Sequence, residues 1–219
     1  MAARKPILEH EMPRVMKVLP RFPLRDQCYF ILGLNTGFRA TETLSLNVGD
    51  VWDQAANGLK SQVSVTRAKM KGGRGRHRKS ITSRTVPLND AALAILQKYL
   101  FSRFGSGPVV TGEPLFPSRF RGIRLTRWTA NIIVHRVLDR AGLGNREYYG
   151  SHSLRKTFCK NIYQLTKFDI NLTRAVMGHA NIATTQKYLV VEAADIQDAI
   201  LLLGTGGGRR ALRVAAAVR

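Results

Sequence analysis

The hydrophobic period of this chain changes twice along its length. From Leu24 to Leu34 apolar residues recur at helical spacing, in short runs between Val48 and Leu88 they alternate every second residue, and from Asn89 onward the helical period returns. A chain with that order of signals has to set a small sheet among helices. Val48 to Trp52, Gln62 to Thr66 and Thr85 to Leu88 read as strands, with Asn57-Gly58 and Gly72-Gly73 as turn signals, which predicts one three-stranded antiparallel sheet. The first helix closes at Thr36-Gly37, and a helical turn from Arg39 to Leu46 follows it. Asn89 can cap a helix to about Phe104, with Leu93, Leu96, Leu100 and Phe104 along one side, and Thr126 can cap another that ends at Gly142. Ser153 to Tyr163, Asp169 to Met177 and a segment starting at Ala183 complete the helical reading, before a last amphipathic helix from Glu192 to Leu203. The expected class is mainly α with a small antiparallel sheet (α+β). Residues 1–203 read as one folded unit, and 204–219 as a flexible basic tail.

Charge narrows the partner. Thirty-five Lys and Arg against 14 Asp and Glu give a net charge of +21 on 219 residues that are 44% hydrophobic. The apolar share suffices for a core, so the excess charge is not that of a disordered chain. Nucleic acid, an anionic membrane and the ribosome would all attract such a surface. The distribution favours a nucleic-acid backbone. Thr66 to Val86 holds eight basic residues and no acid: Arg67, Lys69, Lys71, Arg74, Arg76, Arg78, Lys79 and Arg84. A second cluster, Arg119, Arg121, Arg124 and Arg127, is all arginine, whose planar fork matches phosphate oxygens.

Other classes are excluded by simple features. Two cysteines, Cys28 and Cys159, lie in apolar helical stretches and read as buried, inert thiols in a reducing compartment. The first residues carry charges of both signs with no apolar segment, unlike a secretory signal. No stretch approaches the roughly 20 apolar residues of a membrane span. The expected location is the cytoplasm, associated with the nucleoid.

Three short segments carry candidate chemistry. Thr36-Gly37-Phe38-Arg39-Ala40-Thr41-Glu42 puts Arg39 and Glu42 one helical turn apart, and His152-Ser153-Leu154-Arg155 does the same for an imidazole and a guanidinium. In the third, Met177-Gly178-His179 ends one helix and Tyr188 follows in a polar stretch, Thr184 to Lys187, that leaves the phenol exposed. Singly, each segment has an ordinary explanation, since a helical Arg-x-x-Glu is usually a surface ion pair and a lone tyrosine usually packs.

Taken in order, TGFRATETLSL, HSLRKTF and GHANIATTQKY resemble the tyrosine recombinase (phage integrase) family over about Leu24 to Ile200. The resemblance implies that family's catalytic-domain fold, and an active-site set of Arg39, His152, Arg155, His179 and Tyr188, with Glu42 supporting Arg39. It also implies a lysine in the hairpin between the second and third strands. Lys71, just before Gly72-Gly73, is the first choice, and Lys69, on the same strand face, fits nearly as well, so that the sequence does not separate them. The hairpin bases Arg67, Lys69, Arg74, Arg76, Arg78 and Lys79, with Arg121, Arg124 and Arg127, are expected to grip phosphates. The box departs from the family at Lys156, where a second histidine is common. Only 38 residues precede Arg39, so the N-terminal helical domain usual in the family is expected to be absent, either in a catalytic fragment or in a compact stand-alone form.

The implied activity is site-specific recombination or integration: cleavage and rejoining of double-stranded DNA through a covalent 3′-phosphotyrosine, with no metal or other cofactor and no ATP. A phenol with an ordinary pKa near 10 has to lose its proton as it attacks, and His152 is the candidate base. Arg39 and Arg155 would hold the non-bridging oxygens, His179 would donate to them, and the hairpin lysine would protonate the leaving 5′ oxygen. Assembly as a homotetramer on DNA by exchange of the C-terminal helix is also implied. Two alternatives are nicking and resealing in the manner of a type IB topoisomerase, and DNA binding without catalysis.

Overall fold

A computed structural model of the chain describes residues 4–66, 83–119 and 123–189. Helices α1 (Met12–Val18), α2 (Leu24–Thr36) and α3 (Ala40–Leu44) lead into strands β1 (Trp52–Asp53), β2 (Gly58–Leu59), β3 (Gln62–Thr66) and β4 (Ser83–Pro87). Helices α4 (Asp90–Phe104), α5 (Arg127–Arg140), α6 (Ser151–Leu165), α7 (Ile170–Met177) and α8 (Ile182–Gln186) complete the described fold. This is the expected mainly helical class with small antiparallel pairings. Among the described residues no helix is long and apolar enough to cross a membrane.

Local chemistry sets most helix ends. The Asn89 side chain accepts from the Ala92 N–H at the start of α4, Thr126 from Thr129 at α5, and Asp169 from Asn171 and Leu172 at α7. α2 stops at Gly37, whose φ of 59° is left-handed. A Cβ there would come within 2.2 Å of the Phe158 ring, so this turn and α6 approach as closely as only glycine allows.

The sheet differs from the expected single three-stranded one. β1 pairs with β2, with Trp52 opposite Leu59, and β3 pairs with β4, with Val63 opposite Val86. Two separate two-stranded ladders result. The segment from Gly58 to Thr66 serves both: its first half pairs with β1 and its second half with β4. The break falls at Lys60-Ser61, where the Lys60 amide donates to Val51 and the Ser61 carbonyl accepts from Leu88. The expected first strand is also shorter. Val48–Asp50 form a 3-10 turn, closed by the Asp50 carboxylate on the Asn47 amide at 2.8 Å and tied to Thr111 and Glu113 by backbone bonds.

The main core joins α2, the inner faces of α4 and α5, and the inward residues Val63, Val65 and Val86 of the β3–β4 ladder. Both strands alternate exposed and buried positions, so one face is packed and the other open. α6 passes through the middle, with seven consecutive residues, Ser153 to Cys159, buried. A smaller apolar cluster of Phe158, Cys159, Met177 and Tyr188 lies at the junction of α6, α7 and α8. Both cysteines are buried free thiols, and burial holds their pKa values above the ordinary one, Cys159 at about 11. The hairpin residues 67–82, Arg121 and the expected C-terminal helix and tail lie outside the described residues.

Candidate active site

Four elements deliver the candidate side chains to one place. Arg39 is the N-cap of α3, just before the helix rather than within it. Glu42, three residues on, turns back: one carboxylate oxygen accepts from the Arg39 amide and the other from its guanidinium, each at 2.8 Å. Glu42 is buried, whereas a third of the Arg39 side chain remains exposed. The guanidinium is thus held from behind with its outer edge toward solvent.

Arg155 lies deeper, 1% exposed, on the buried stretch of α6. One terminal nitrogen donates to the Gly37 carbonyl. The other donates to the Met177 carbonyl at 3.1 Å and lies 2.8 Å from His179 Nε2. The Glu42 carboxylate is 4.0 Å away. Burial, chiefly, and then the Arg39 charge lower the pKa of this guanidinium.

A guanidinium has protons only to give, so His179 Nε2 has to be the acceptor. The other nitrogen, Nδ1, then carries the proton and donates to the buried Thr185 hydroxyl at 3.0 Å. Burial, followed by the charges of Arg155, Arg39, Arg84 and His152, depresses the imidazole pKa to about 3. The ring is therefore neutral, and in this arrangement its Nε2 is an acceptor.

Tyr188 follows α8 and is 8% exposed, not open as its polar neighbours suggested. Tertiary contact decides this: α8 ends before it, and the ring packs with Phe158, Cys159 and Met177. Its centroid lies 5.1 Å from that of His152 and 5.0 Å from that of His179, and the Arg155 guanidinium carbon is 5.7 Å from it. His152 is exposed on the first turn of α6, one turn before Arg155. The five residues singled out in sequence are thereby gathered: His152, Arg155 and His179 around the Tyr188 ring, and Arg39 joined to them through Glu42.

Arg84, noted in the sequence only as one of eight basic residues between Thr66 and Val86, was not marked as part of the site. Its guanidinium donates to the carbonyls of Thr36 at 2.9 Å, Gly37 at 3.4 Å and Val176 at 3.1 Å, and lies 5.1 Å from the centre of the Phe38 ring. The available signal was parity. Arg84 shares the inward face of β4 with Val86, an unusual place for a charge. Thr185 was also missed, and nothing in its local sequence marks it.

The expected phosphate-gripping residues divide. Arg127 is exposed at the start of α5. Arg124 is turned inward, donating to the carbonyls of Leu44 at 3.2 Å and Leu46 at 2.8 Å and to the Asn47 side chain at 2.6 Å, and so ties the chain after α3 to the segment before α5. Lys69, Lys71, Arg67, Arg74, Arg76, Arg78, Lys79 and Arg121 lie outside the described residues.

With this geometry in view, the chain can be set beside known proteins. The model of the phage integrase family matches residues 5–194. The tyrosine recombinase XerC of Caldanaerobacter subterraneus subsp. tengcongensis is 27% identical over 203 residues, covering 91% of this chain and 52% of that protein. The tyrosine recombinase XerA of Pyrococcus furiosus is 26% identical over 196 residues, covering 90% of this chain and 60% of that protein. The chain thus spans between half and two thirds of the length of these relatives. The crystal structure of a XerA recombinase superposes with a TM-score of 0.66 at 22% identity, over 90% of this chain and 64% of that one. A XerH site-specific recombinase bound to its difH substrate in a post-cleavage complex also gives 0.66 at 22% identity, over 90% of this chain and 52% of that one. By the family match along most of its length, supported by the shared fold, this chain belongs to the phage integrase family.

Proposed function

We propose that the chain cleaves and rejoins double-stranded DNA as a site-specific recombinase or integrase, with Tyr188 as nucleophile. The observation that carries this reading is the packing of His152, His179 and Arg155 around the Tyr188 ring, at 5.1, 5.0 and 5.7 Å. A phenol surrounded by two imidazoles and a guanidinium has a base and a phosphate ligand within one side-chain movement.

In the step proposed, the Tyr188 oxygen attacks a backbone phosphorus, its proton passes to His152, and the bond to the 5′ oxygen breaks as that oxygen takes a proton. A 3′-phosphotyrosine and a free 5′ hydroxyl result. Reversal with another strand's 5′ hydroxyl rejoins the backbone and returns the tyrosine, so no ATP is consumed. Arg39, open on one side, is the first cation a phosphate meets, and Arg155 takes a second non-bridging oxygen after Tyr188 swings out of its apolar seat. Once Arg155 turns to phosphate, His179 Nε2 is released and can be protonated to donate as well. A lysine of the hairpin, Lys71 or Lys69, supplies the proton to the leaving oxygen.

Exposed Arg119 and Arg127, with the basic hairpin, provide the backbone grip, and Arg124 does not belong to that set. The protein works where DNA is, in the cytoplasm, and assembles on it as a homotetramer through exchange of its C-terminal segment.

The test is covalent capture. Wild-type protein incubated with a library of nicked duplexes of randomised sequence should retain DNA through denaturing electrophoresis, and Tyr188→Phe should bind duplex yet retain none. A denaturation-resistant adduct with Tyr188→Phe would contradict the assignment. Supercoil relaxation without junction or exchanged-strand products would point to nicking and resealing alone.

A further inference from the structure

We propose that Arg84, a residue outside the five-membered set, is a positioning residue for the strand-transfer reaction: its guanidinium pins together the turn that leads to Arg39 and the turn that leads to His179, and so fixes the seat of Arg155. The inference rests on the reading given under Proposed function.

Three observations converge on it. Arg84 and Arg155 grip the same two stretches of backbone. Arg84 donates to Thr36 and Gly37 at the end of α2 and to Val176 at the end of α7, while Arg155 donates to Gly37 and to Met177. Each stretch leads directly into a candidate side chain, the first to Arg39 and the second to His179. Arg84 also packs on the left-handed Gly178, φ 64°, immediately before His179; a Cβ at that glycine would lie 3.0 Å from the Arg84 Cδ.

The arrangement is also one that packing alone would not favour. Two guanidiniums share the Gly37 carbonyl, Glu42 bears on both, and among the described residues the Nε of each is buried without an acceptor. Burial and the Arg155 charge lower the Arg84 pKa to about 9. An apolar residue at this inward position of β4 would fill the space at less electrostatic cost. What it would not do is bridge three carbonyls from two separate turns, which a planar, multi-donor fork does. The register of β4 opposite β3, with Val65 opposite Arg84, anchors the base of the fork in the sheet. The two turns are thereby referenced to a rigid element.

The test uses a nicked duplex recovered by the capture experiment and compares wild type, Arg84→Met, Arg155→Lys and the double variant. Single-turnover cleavage and duplex affinity are read separately. Arg84→Met should cleave about 100-fold more slowly, the scale of a loss from misplaced groups, with affinity little changed. The double variant should be no slower than Arg155→Lys alone, because both losses act through one guanidinium. Losses that multiply in the double variant would indicate a general structural effect and overturn the proposal, as would a wild-type rate in Arg84→Met. If Arg84→Met does not fold, Arg84→Lys keeps a buried cation without the fork and is read in the same way. Absence of any adduct with wild type overturns both readings, whereas adducts with wild type and independent losses overturn the role of Arg84 alone.

Discussion

At His179 the two ring nitrogens have opposite tasks. Nε2 accepts from Arg155 and Nδ1 donates to Thr185, at 2.8 and 3.0 Å, so the fold holds one neutral tautomer. The imidazole pKa is about 3 in the fold against an ordinary 6.5. Between those values the unfolded chain binds the proton more strongly, so stability from this group is complete above about pH 6.5 and declines as pH falls toward 3. Thermal melts between pH 7 and pH 5 should show a steeper loss of Tm for wild type than for His179→Asn, and equal slopes would contradict the network. The grouping of Arg39, His152, Arg155, His179 and Tyr188 was legible through the family resemblance, whose motifs name residues that the fold brings close together. The roles of Arg84 and Thr185 were not, because each depends on which distant carbonyl or ring packing brings within reach.

Among the elements, α4, α5 and α7 could be read almost to their first residue, because the cap at each start is a local hydrogen bond. The sheet could not. Whether three short apolar runs make one ladder or two is decided at Lys60-Ser61 by backbone pairing with Val51 and Leu88, about which side-chain periodicity says nothing. The burial of Tyr188 was hidden for a similar reason, as its neighbours in sequence are polar and its neighbours in space are apolar. The end of α6, the turn after it and α7 leave Leu165, Phe168 and Leu172 exposed, while Ile196, Ile200, Leu201 and Leu203 form an apolar stripe in the sequence beyond the described residues. Exposed apolar groups of this kind suit docking of that stripe from a neighbouring copy. On the proposed exchange of the C-terminal segment, removal of residues 192–219 should reduce the proposed DNA-bound tetramer to smaller species on size exclusion with light scattering. A tetramer that survives the truncation would rule out the exchange.

For the whole molecule, a net charge of +21 should make the proposed DNA binding strongly dependent on salt. The fold assigns different work to arginines that look alike in sequence. Arg127→Ala should flatten the plot of log affinity against log salt by about one unit and leave Tm unchanged. Arg124→Ala should lower Tm, since it removes the tie from Leu44, Leu46 and Asn47 to the segment before α5, and leave the salt slope unchanged. A reversal of the two outcomes would contradict the assignment. Above these details stands the convergence of His152 and Arg155 from α6 and of His179 after α7 on the Tyr188 phenol, with α3 joined through Glu42 to Arg155. The most direct measurement is mass-spectrometric mapping of the peptide that stays attached to DNA after capture and digestion. The account predicts one modified peptide, linked through the Tyr188 oxygen to a 3′ phosphate, and attachment at any other side chain, or through a 5′ phosphate, would contradict it.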